Sequence, residues 1–222
     1  MSILLFRFAQ QPHLLISWLF GIIIGLTVHE FAHAKRAQLG GDPTPEAHGR
    51  VTLNPLAHYD PIGTTMILLF GFGWGKPVPV NPLAMRRPRY DNLMTSAWGA
   101  IANIITATVF GLALRLTVHY QVAQPYWPLF DAIVSLNLFL ALFNMIPVWP
   151  LDGSHVLASL LPLRAAHKLE LFYHRFGILL LVVLIVSPVP DIVVGGGAGV
   201  IYRLISGGPY PLHYFLTSMV GL

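Results

Sequence analysis

Cysteine is absent from the 222 residues, and charged residues make up only 10% of them. Without cysteine the chain can form neither disulfide bonds nor thiolate metal sites, so any metal must be bound by His, Asp or Glu. A soluble domain carries about 25% charged residues. Here 55% of the residues are hydrophobic and the mean hydropathy is +0.66. The composition therefore excludes a large soluble domain and predicts a membrane protein with several spans.

Basic residues are few, and their positions predict the topology. The formal net charge is only +4 and no long basic face with interleaved aromatic residues exists, so nucleic acid is not an expected partner. Cytoplasmic loops are enriched in Lys and Arg. The predicted spans leave Arg7, Arg115 and Arg203 on one side. The other ten, which mark the cytoplasmic side of a prokaryotic plasma membrane, are Lys35, Arg36, Arg50, Lys76, Arg86, Arg87, Arg89, Arg164, Lys168 and Arg175.

Long apolar runs predict about four full membrane-spanning helices, at residues 12–34, 93–118, 129–146 and 169–186. The first run is expected to be a retained span, because residues 1–11 contain one Arg and no small-residue cleavage site. The run at 62–72 is too short to cross the bilayer and predicts a re-entrant or interfacial segment. Short β-strands are predicted at 51–53 and 78–80, each followed by Asn-Pro. The predicted fold is an all-α polytopic membrane protein with these short elements between its first two spans.

The end of the first span carries the motif His29-Glu30-Phe-Ala-His33. His29 and His33 are one helical turn apart, so both imidazoles project from one face and can share a metal ion. Glu30 lies beside them, where it can accept a proton from a water molecule. The alternative is a pair of core histidines beside a buried acid. That alternative is costly, because ionisable groups at membrane depth require partners and usually mark function.

A catalytic zinc site needs three protein ligands and one open position. Asp152 is the leading candidate for the third ligand, because it is an isolated acid between Pro150 and Gly153 at the cytoplasmic end of a span. Its alternative role is to cap the helix that starts at Gly153. Asp42, Asp60, Asp91 and Asp131 are weaker candidates, in polar loops or at the far side. Three further histidines flank these motifs and are expected to be structural: His48, His58 and His155.

Two separated motifs resemble the site-2 protease family of intramembrane zinc metalloproteases (peptidase family M50). They are His29-Glu-Phe-Ala-His33 and, about 120 residues later, Asn144-x-x-Pro-x-x-Pro-x-Asp152-Gly. Gly-Arg-Val-Thr-Leu-Asn-Pro at 49–55, His-Tyr-Asp-Pro-Ile-Gly at 58–63 and Gly-Trp-Gly-Lys-Pro-Val-Pro-Val-Asn-Pro at 73–82 support the resemblance. One departure is that the family often has Gly-Pro-x-x-Asn where this chain has Gly99-Ala-Ile-Ala-Asn103.

The resemblance implies one zinc ion per chain, bound by His29, His33 and Asp152, with Glu30 as the catalytic acid/base. It also implies that Asn144 binds the substrate or the oxyanion, although an interhelical hydrogen bond is an equally simple role for it. The implied substrate is a single-span membrane protein cut in or near its transmembrane segment. Residues 1–222 are expected to form one membrane-embedded domain without PDZ or CBS domains, with a catalytic core at about 12–165 and C-terminal helices at about 166–222.

Cutting a transmembrane helix requires that the helix unwind, because its backbone amides are otherwise bonded within the helix. The predicted strands at 51–53 and 78–80 are candidates to pair with the unwound segment by strand addition.

Two other functions fit parts of the pattern. A membrane metal-binding or transport protein would use the same cluster, but it predicts ionisable residues spread through the membrane depth. Here they concentrate near one face, and Glu30 is an acid that transport does not require. An inactive relative that binds transmembrane partners predicts loss of Glu30 or of a ligand, and all four residues are present.

Overall fold

The computed structural model of the chain describes residues 12–70 and 73–208. Over these residues the chain forms eight α-helices, three short 3-10 helices and one π-helical segment, Pro190–Gly195. Arg7, residues 71–72 of the predicted short segment and the apolar stretch 209–222 lie outside the described residues. The α-helices are, in order, α1 Pro12–Gly40, α2 Thr44–Ala47, α3 Pro61–Phe70, α4 Pro88–His119, α5 Trp127–Asn144, α6 Asp152–Leu160, α7 Leu163–Val186 and α8 Gly196–Ser206.

Four of these helices are long and apolar enough to cross a membrane: α1, α4, α5 with the 3-10 turn that precedes it, and α7. The predicted multi-pass all-α fold is thereby confirmed. The predicted boundaries were too narrow, because α1 continues past residue 34 to Gly40 and α4 begins at Pro88. These extensions are polar but stay helical where they support each other: Arg36 of α1 donates to the buried Asp91 of α4 over 2.9 Å.

Helices α1, α4 and α5 pack against one another and form the centre of the molecule. Two glycines four residues apart on α1, Gly21 and Gly25, allow α5 to approach closely. An ideal Cβ at Gly21 would lie 3.0 Å from the Ala132 carbonyl oxygen, and one at Gly25 would lie 2.7 Å from Leu140 Cδ1. Further along α4 and α5, α8 closes the bundle. The buried residues of that cluster are Ala107, Leu114, Val134, Leu138, Ala198 and Tyr202.

The predicted short strands are wrong: among the described residues, neither 51–53 nor 78–80 is a strand. Side chains take the backbone acceptors that a ladder would use. His58 donates through Nε2 to the Thr52 carbonyl over 2.9 Å, and the Arg50 guanidinium donates to the Lys76 carbonyl. Pro79 additionally removes one N–H donor from the second segment, and Pro77, just before that segment, has none either. The segments are therefore irregular loops that side chains hold in place.

The segment between α5 and α6 makes a tight turn that α7 supports. An ideal Cβ at Gly153 would lie 2.3 Å from the Met145 carbonyl oxygen, so only glycine allows this approach. From α7, Tyr173 donates its hydroxyl to the Pro147 carbonyl over 2.6 Å, and Gly177 lies against the Trp149 ring. These contacts fix the start of α6, where Asp152 is found.

Candidate metal centre

Three side chains from two distant parts of the sequence converge at the start of α6. His29 Nε2 and His33 Nε2 are 3.0 Å apart, and they lie 3.0 and 3.1 Å from Asp152 Oδ2. Both imidazoles are buried and the carboxylate is partly buried. Helix α1 presents the two histidines one turn apart, and the loop between α5 and α6 brings the acid to them. The structure thus brings together all three predicted metal ligands.

Hydrogen bonds at the outer ring nitrogens fix both histidine tautomers. His33 Nδ1 faces the Thr95 carbonyl at 2.7 Å, and a carbonyl only accepts, so this nitrogen carries the hydrogen. His29 Nδ1 lies 2.6 Å from Asn103 Oδ1. Asn103 uses its amide hydrogens on the Gly25 carbonyl and on the Asn137 side chain, so its oxygen must accept from His29. Each Nε2 therefore directs a lone pair towards the other ligands.

Lone pairs that converge in this way require a cation between them. A tetrahedral zinc ion with bonds of about 2.0–2.1 Å separates its ligand atoms by about 3.3–3.4 Å, close to the distances of 3.0–3.1 Å here. Space for an ion is kept by Gly99 of α4, where an ideal Cβ would lie 2.5 Å from His33 Nε2 and 2.8 Å from His29 Nε2. The set of donor atoms and the absence of a side chain at Gly99 both fit a metal ion.

The alternative role of Asp152 as a helix cap is wrong. The cap position of α6 is Leu151, and no side-chain hydrogen bond caps this helix. Asp152 is the first helical residue, and its carboxylate contacts the two histidines. This placement leaves the acid available as a ligand.

Glu30 borders the cluster on the side of the loop that follows α3. An ideal Cβ at Gly75 would lie 4.0 Å from Glu30 Oε1. Among the described residues, no hydrogen bond holds the Glu30 carboxylate, which is partly exposed. A carboxylate in this setting is free to exchange a proton with a water molecule or a substrate.

Asn144 is the predicted site residue that the structure does not join to the cluster. It ends α5, and its Nδ2 donates to the Leu140 carbonyl one turn earlier over 3.0 Å. That bond lies within its own helix, so the interhelical bond considered for it is not the one it makes. Its role at a substrate stays a prediction. His48 and His155 are exposed and lie outside the cluster.

Sequence reasoning missed the residues that orient the ligands: Thr95, Asn103 and Asn137. Asn103 and Asn137 are fully buried and bond each other over 2.7 Å. The stretch from Gly99 to Asn103 stood out as a motif, but its spacing does not reveal which face of α4 meets α1. A signal was available in two asparagines placed within predicted spans, since buried amides at that depth need partners.

Curated relatives carry names that agree with this chemistry. A protein of Bacillus subtilis (strain 168) named "Putative zinc metalloprotease YwhC" is 34% identical over 212 residues, which cover 92% of this chain and 91% of the relative. A protein of Mycolicibacterium smegmatis named "Putative zinc metalloprotease Rip2" is 27% identical over 173 residues, covering 76% of this chain and 66% of the relative. Neither a family model nor a solved structure matches the chain. Its two motifs and its full-length relative together show that the chain belongs to the site-2 protease family of zinc metalloproteases, peptidase family M50.

Proposed function

We propose that this protein is an intramembrane zinc endopeptidase that hydrolyses peptide bonds in or near the transmembrane segments of single-span membrane proteins. The observation that carries the proposal is the convergence of two tautomer-fixed histidines and Asp152 beside the free carboxylate of Glu30. The names of the relatives support both the metal and the reaction. The four long apolar helices support a site that works within a bilayer.

His29, His33 and Asp152 would hold one zinc ion through two imidazole nitrogens and one carboxylate oxygen. Three protein ligands leave one position open, as catalytic zinc sites require. Bound zinc lowers the pKa of a water molecule and polarises the scissile carbonyl. The chain itself keeps the ligand lone pairs aimed inward, through the Asn103 and Thr95 acceptors.

Glu30 supplies the proton transfers. Its carboxylate takes a proton from the attacking water as the new C–O bond forms, and it delivers that proton to the leaving amine as the C–N bond breaks. The absence of a hydrogen bond from the described residues to Glu30 supports this role. Asn144, at the end of α5, is proposed to donate its second amide hydrogen to the substrate.

An apolar groove next to the site supports an apolar substrate. It has a volume of about 260 Å³ and runs along α1 over about two turns that lead up to His29. Its lining comes from α1 and from the loop before α3: Ile23, Ile24, Thr27, Val28, Leu53 and Pro55. We assign this groove to the substrate segment just before it reaches the metal ligands.

Two features support a site near the cytoplasmic face. Helix α3 is ten residues long, about 15 Å, which is half of the hydrocarbon thickness. After α3 the chain returns to the start of that helix. The backbone at Trp74 lies against Gly63, where an ideal Cβ would be only 2.0 Å from the Trp74 carbonyl oxygen. We propose that α3 is re-entrant. Such a segment keeps Lys76 on the same side as Lys35 and Arg36, in agreement with the positive-inside rule.

The test is cleavage of a panel of single-span peptides by the purified, zinc-loaded protein and by Glu30→Gln. The substitution should lower kcat by about 10²–10⁴-fold, the contribution of a general acid/base. Zinc content should stay at one ion per chain, because Glu30 is not a ligand. The proposal is abandoned if zinc binds and no peptide is cut, or if Glu30→Gln cuts as fast as wild type. Zinc uptake into vesicles by both proteins would instead favour transport.

A further inference from the structure

Arg50, in the loop between α2 and α3, is buried with part of its guanidinium unused. The residue is 3% exposed. Its Nη2 donates to the Lys76 carbonyl, but within the described part of the chain Nε–H and Nη1–H have no acceptor. Burial lowers the pKa of the guanidinium, and the nearby charge of Glu30 opposes that shift. A buried cation beside a carboxylate, with two donors that no described protein acceptor uses, is suited to bind an oxygen atom.

His58 presents the complementary group in the same loop network. It is also 3% exposed, and its Nε2 donates to the Thr52 carbonyl over 2.9 Å. That bond makes Nδ1 an acceptor, and Nδ1 is buried with no donor among the residues described. A structural histidine would normally have both nitrogens satisfied.

The backbone of Lys76 links the Arg50 side chain to the main chain of His58, and it follows the residue that borders Glu30. Its N–H donates to the His58 carbonyl over 2.8 Å, and its own carbonyl accepts from Arg50. The preceding residue, Gly75, faces both sides: an ideal Cβ there would lie 3.1 Å from the His58 carbonyl oxygen and 4.0 Å from Glu30 Oε1. The unused donors and the unused acceptor therefore belong to one hydrogen-bonded loop network, and Gly75 of that network borders Glu30.

We propose that Arg50 and His58 form a binding site for the main-chain N–H and carbonyl of one substrate residue, which point to the same side of an extended segment. An unwound transmembrane segment exposes carbonyl oxygens and N–H groups that have lost their helical partners. The two open donors of Arg50 bind the carbonyl oxygen, and His58 Nδ1 accepts the N–H. The site recognises backbone rather than side chains, so it selects a segment that has unwound over one that is still helical. This inference rests on the proposed peptidase function.

The first test is the kinetics of Arg50→Lys on the panel peptide that the wild type cleaves fastest. Lysine keeps the positive charge beside Glu30 and a donor for the Lys76 carbonyl, but it loses the two open donors. We expect KM to rise by about tenfold or more with little change in kcat, as for loss of a charge-assisted hydrogen bond present in both the bound and the transition states.

His58→Gln is the second variant, because glutamine retains a donor for the Thr52 carbonyl and removes the Nδ1 acceptor. It should raise KM as well. The double variant should raise KM by less than the product of the single effects, since both side chains bind the backbone of one substrate residue. Arg89→Lys and His48→Gln are matched controls, because among the described residues each original side chain bonds only main-chain carbonyls, those of Ser159 and Leu161 for Arg89 and that of Thr44 for His48. The controls should leave KM unchanged.

Four results would overturn the inference: an unchanged KM in Arg50→Lys, a fall in kcat alone, a loss of bound zinc, or independent effects in the double variant. A fall in kcat alone would mean that Arg50 acts through Glu30, and a loss of zinc would mean that it only supports the loops. Failure of the peptidase proposal looks different, because then the wild type itself would cut no peptide.

Discussion

Gly99→Ala is the substitution that tests the metal centre most directly. The new methyl carbon would lie 2.5 Å from His33 Nε2 and 2.7 Å from His29 Cε1. Ordinary contacts begin at about 3.4 Å, so an imidazole or helix α4 must shift by about 0.9 Å. Neither shift is easy, because Asn103 and the Thr95 carbonyl hold the two rings from behind.

The expected effects separate metal binding from folding. Metal–ligand bonds tolerate about 0.2 Å of error, and a misplacement of about 1 Å at a catalytic site costs about 100-fold in rate. Both zinc affinity and kcat/KM should therefore fall by about 100-fold or more. The same clash strains the metal-free protein, but Ala is favoured over Gly in a helix interior by about 0.8–1 kcal/mol, so stability should fall by less than zinc affinity does.

Zinc affinity is measured by competition with a chromophoric chelator in detergent, and stability by thermal unfolding of the metal-free protein. Two other glycines provide matched controls. Gly111→Ala brings a methyl within 2.3 Å of Ile205 Cγ2 and should destabilise the bundle while leaving zinc affinity intact. Gly196→Ala meets nothing within 4 Å and should change neither. Wild-type zinc affinity in Gly99→Ala would refute the reasoning.

Three further substitutions probe the supports of the site. Asn103→Leu removes the acceptor for His29 Nδ1–H and should lower zinc affinity by about 10–100-fold in the same competition assay. An unchanged affinity would mean that the His29 tautomer is fixed in another way. Asp91→Ala leaves Arg36 without its buried partner and should destabilise the protein by about 3–5 kcal/mol, read by thermal unfolding, with zinc binding of the folded protein retained. Tyr173→Phe removes the hydrogen bond to the Pro147 carbonyl and should cost only about 1 kcal/mol, while zinc dissociates faster because the loop that carries the acidic ligand loosens; equal dissociation rates would contradict this.

Local spacing explains why the convergence of the three predicted metal ligands could be anticipated. The separation of four residues between His29 and His33 fixes their common face on any helix. The unequal distribution of Lys and Arg between the two sides of the predicted spans placed Asp152 at the same side as His33. The candidate for the third ligand therefore followed from the topology. Glu30 came with the motif. None of these inferences required knowledge of how helices rotate against one another.

The residues that depend on helix rotation could not be predicted. Gly99 faces the metal ligands only because α4 turns that side towards α1, and Asn103 follows one turn later. The prediction of strands at 51–53 and 78–80 was wrong for a related reason. Valine-rich runs favour extended backbone, but a strand also needs a partner. Here the side chains of Arg50 and His58, from the same loops, take the carbonyls instead.

The separation of the ligands along the chain has a consequence for biosynthesis. His33 and Asp152 are 119 residues apart. At about 5–20 residues per second, the ribosome adds the third ligand roughly 6 to 24 seconds after the second. During that interval the first helix enters the bilayer with two of its three ligands and no competent centre. On the proposed function, a growing chain therefore could not cut its neighbours in the translocon, and activity would begin only after Asp152 had been synthesised and folded into place.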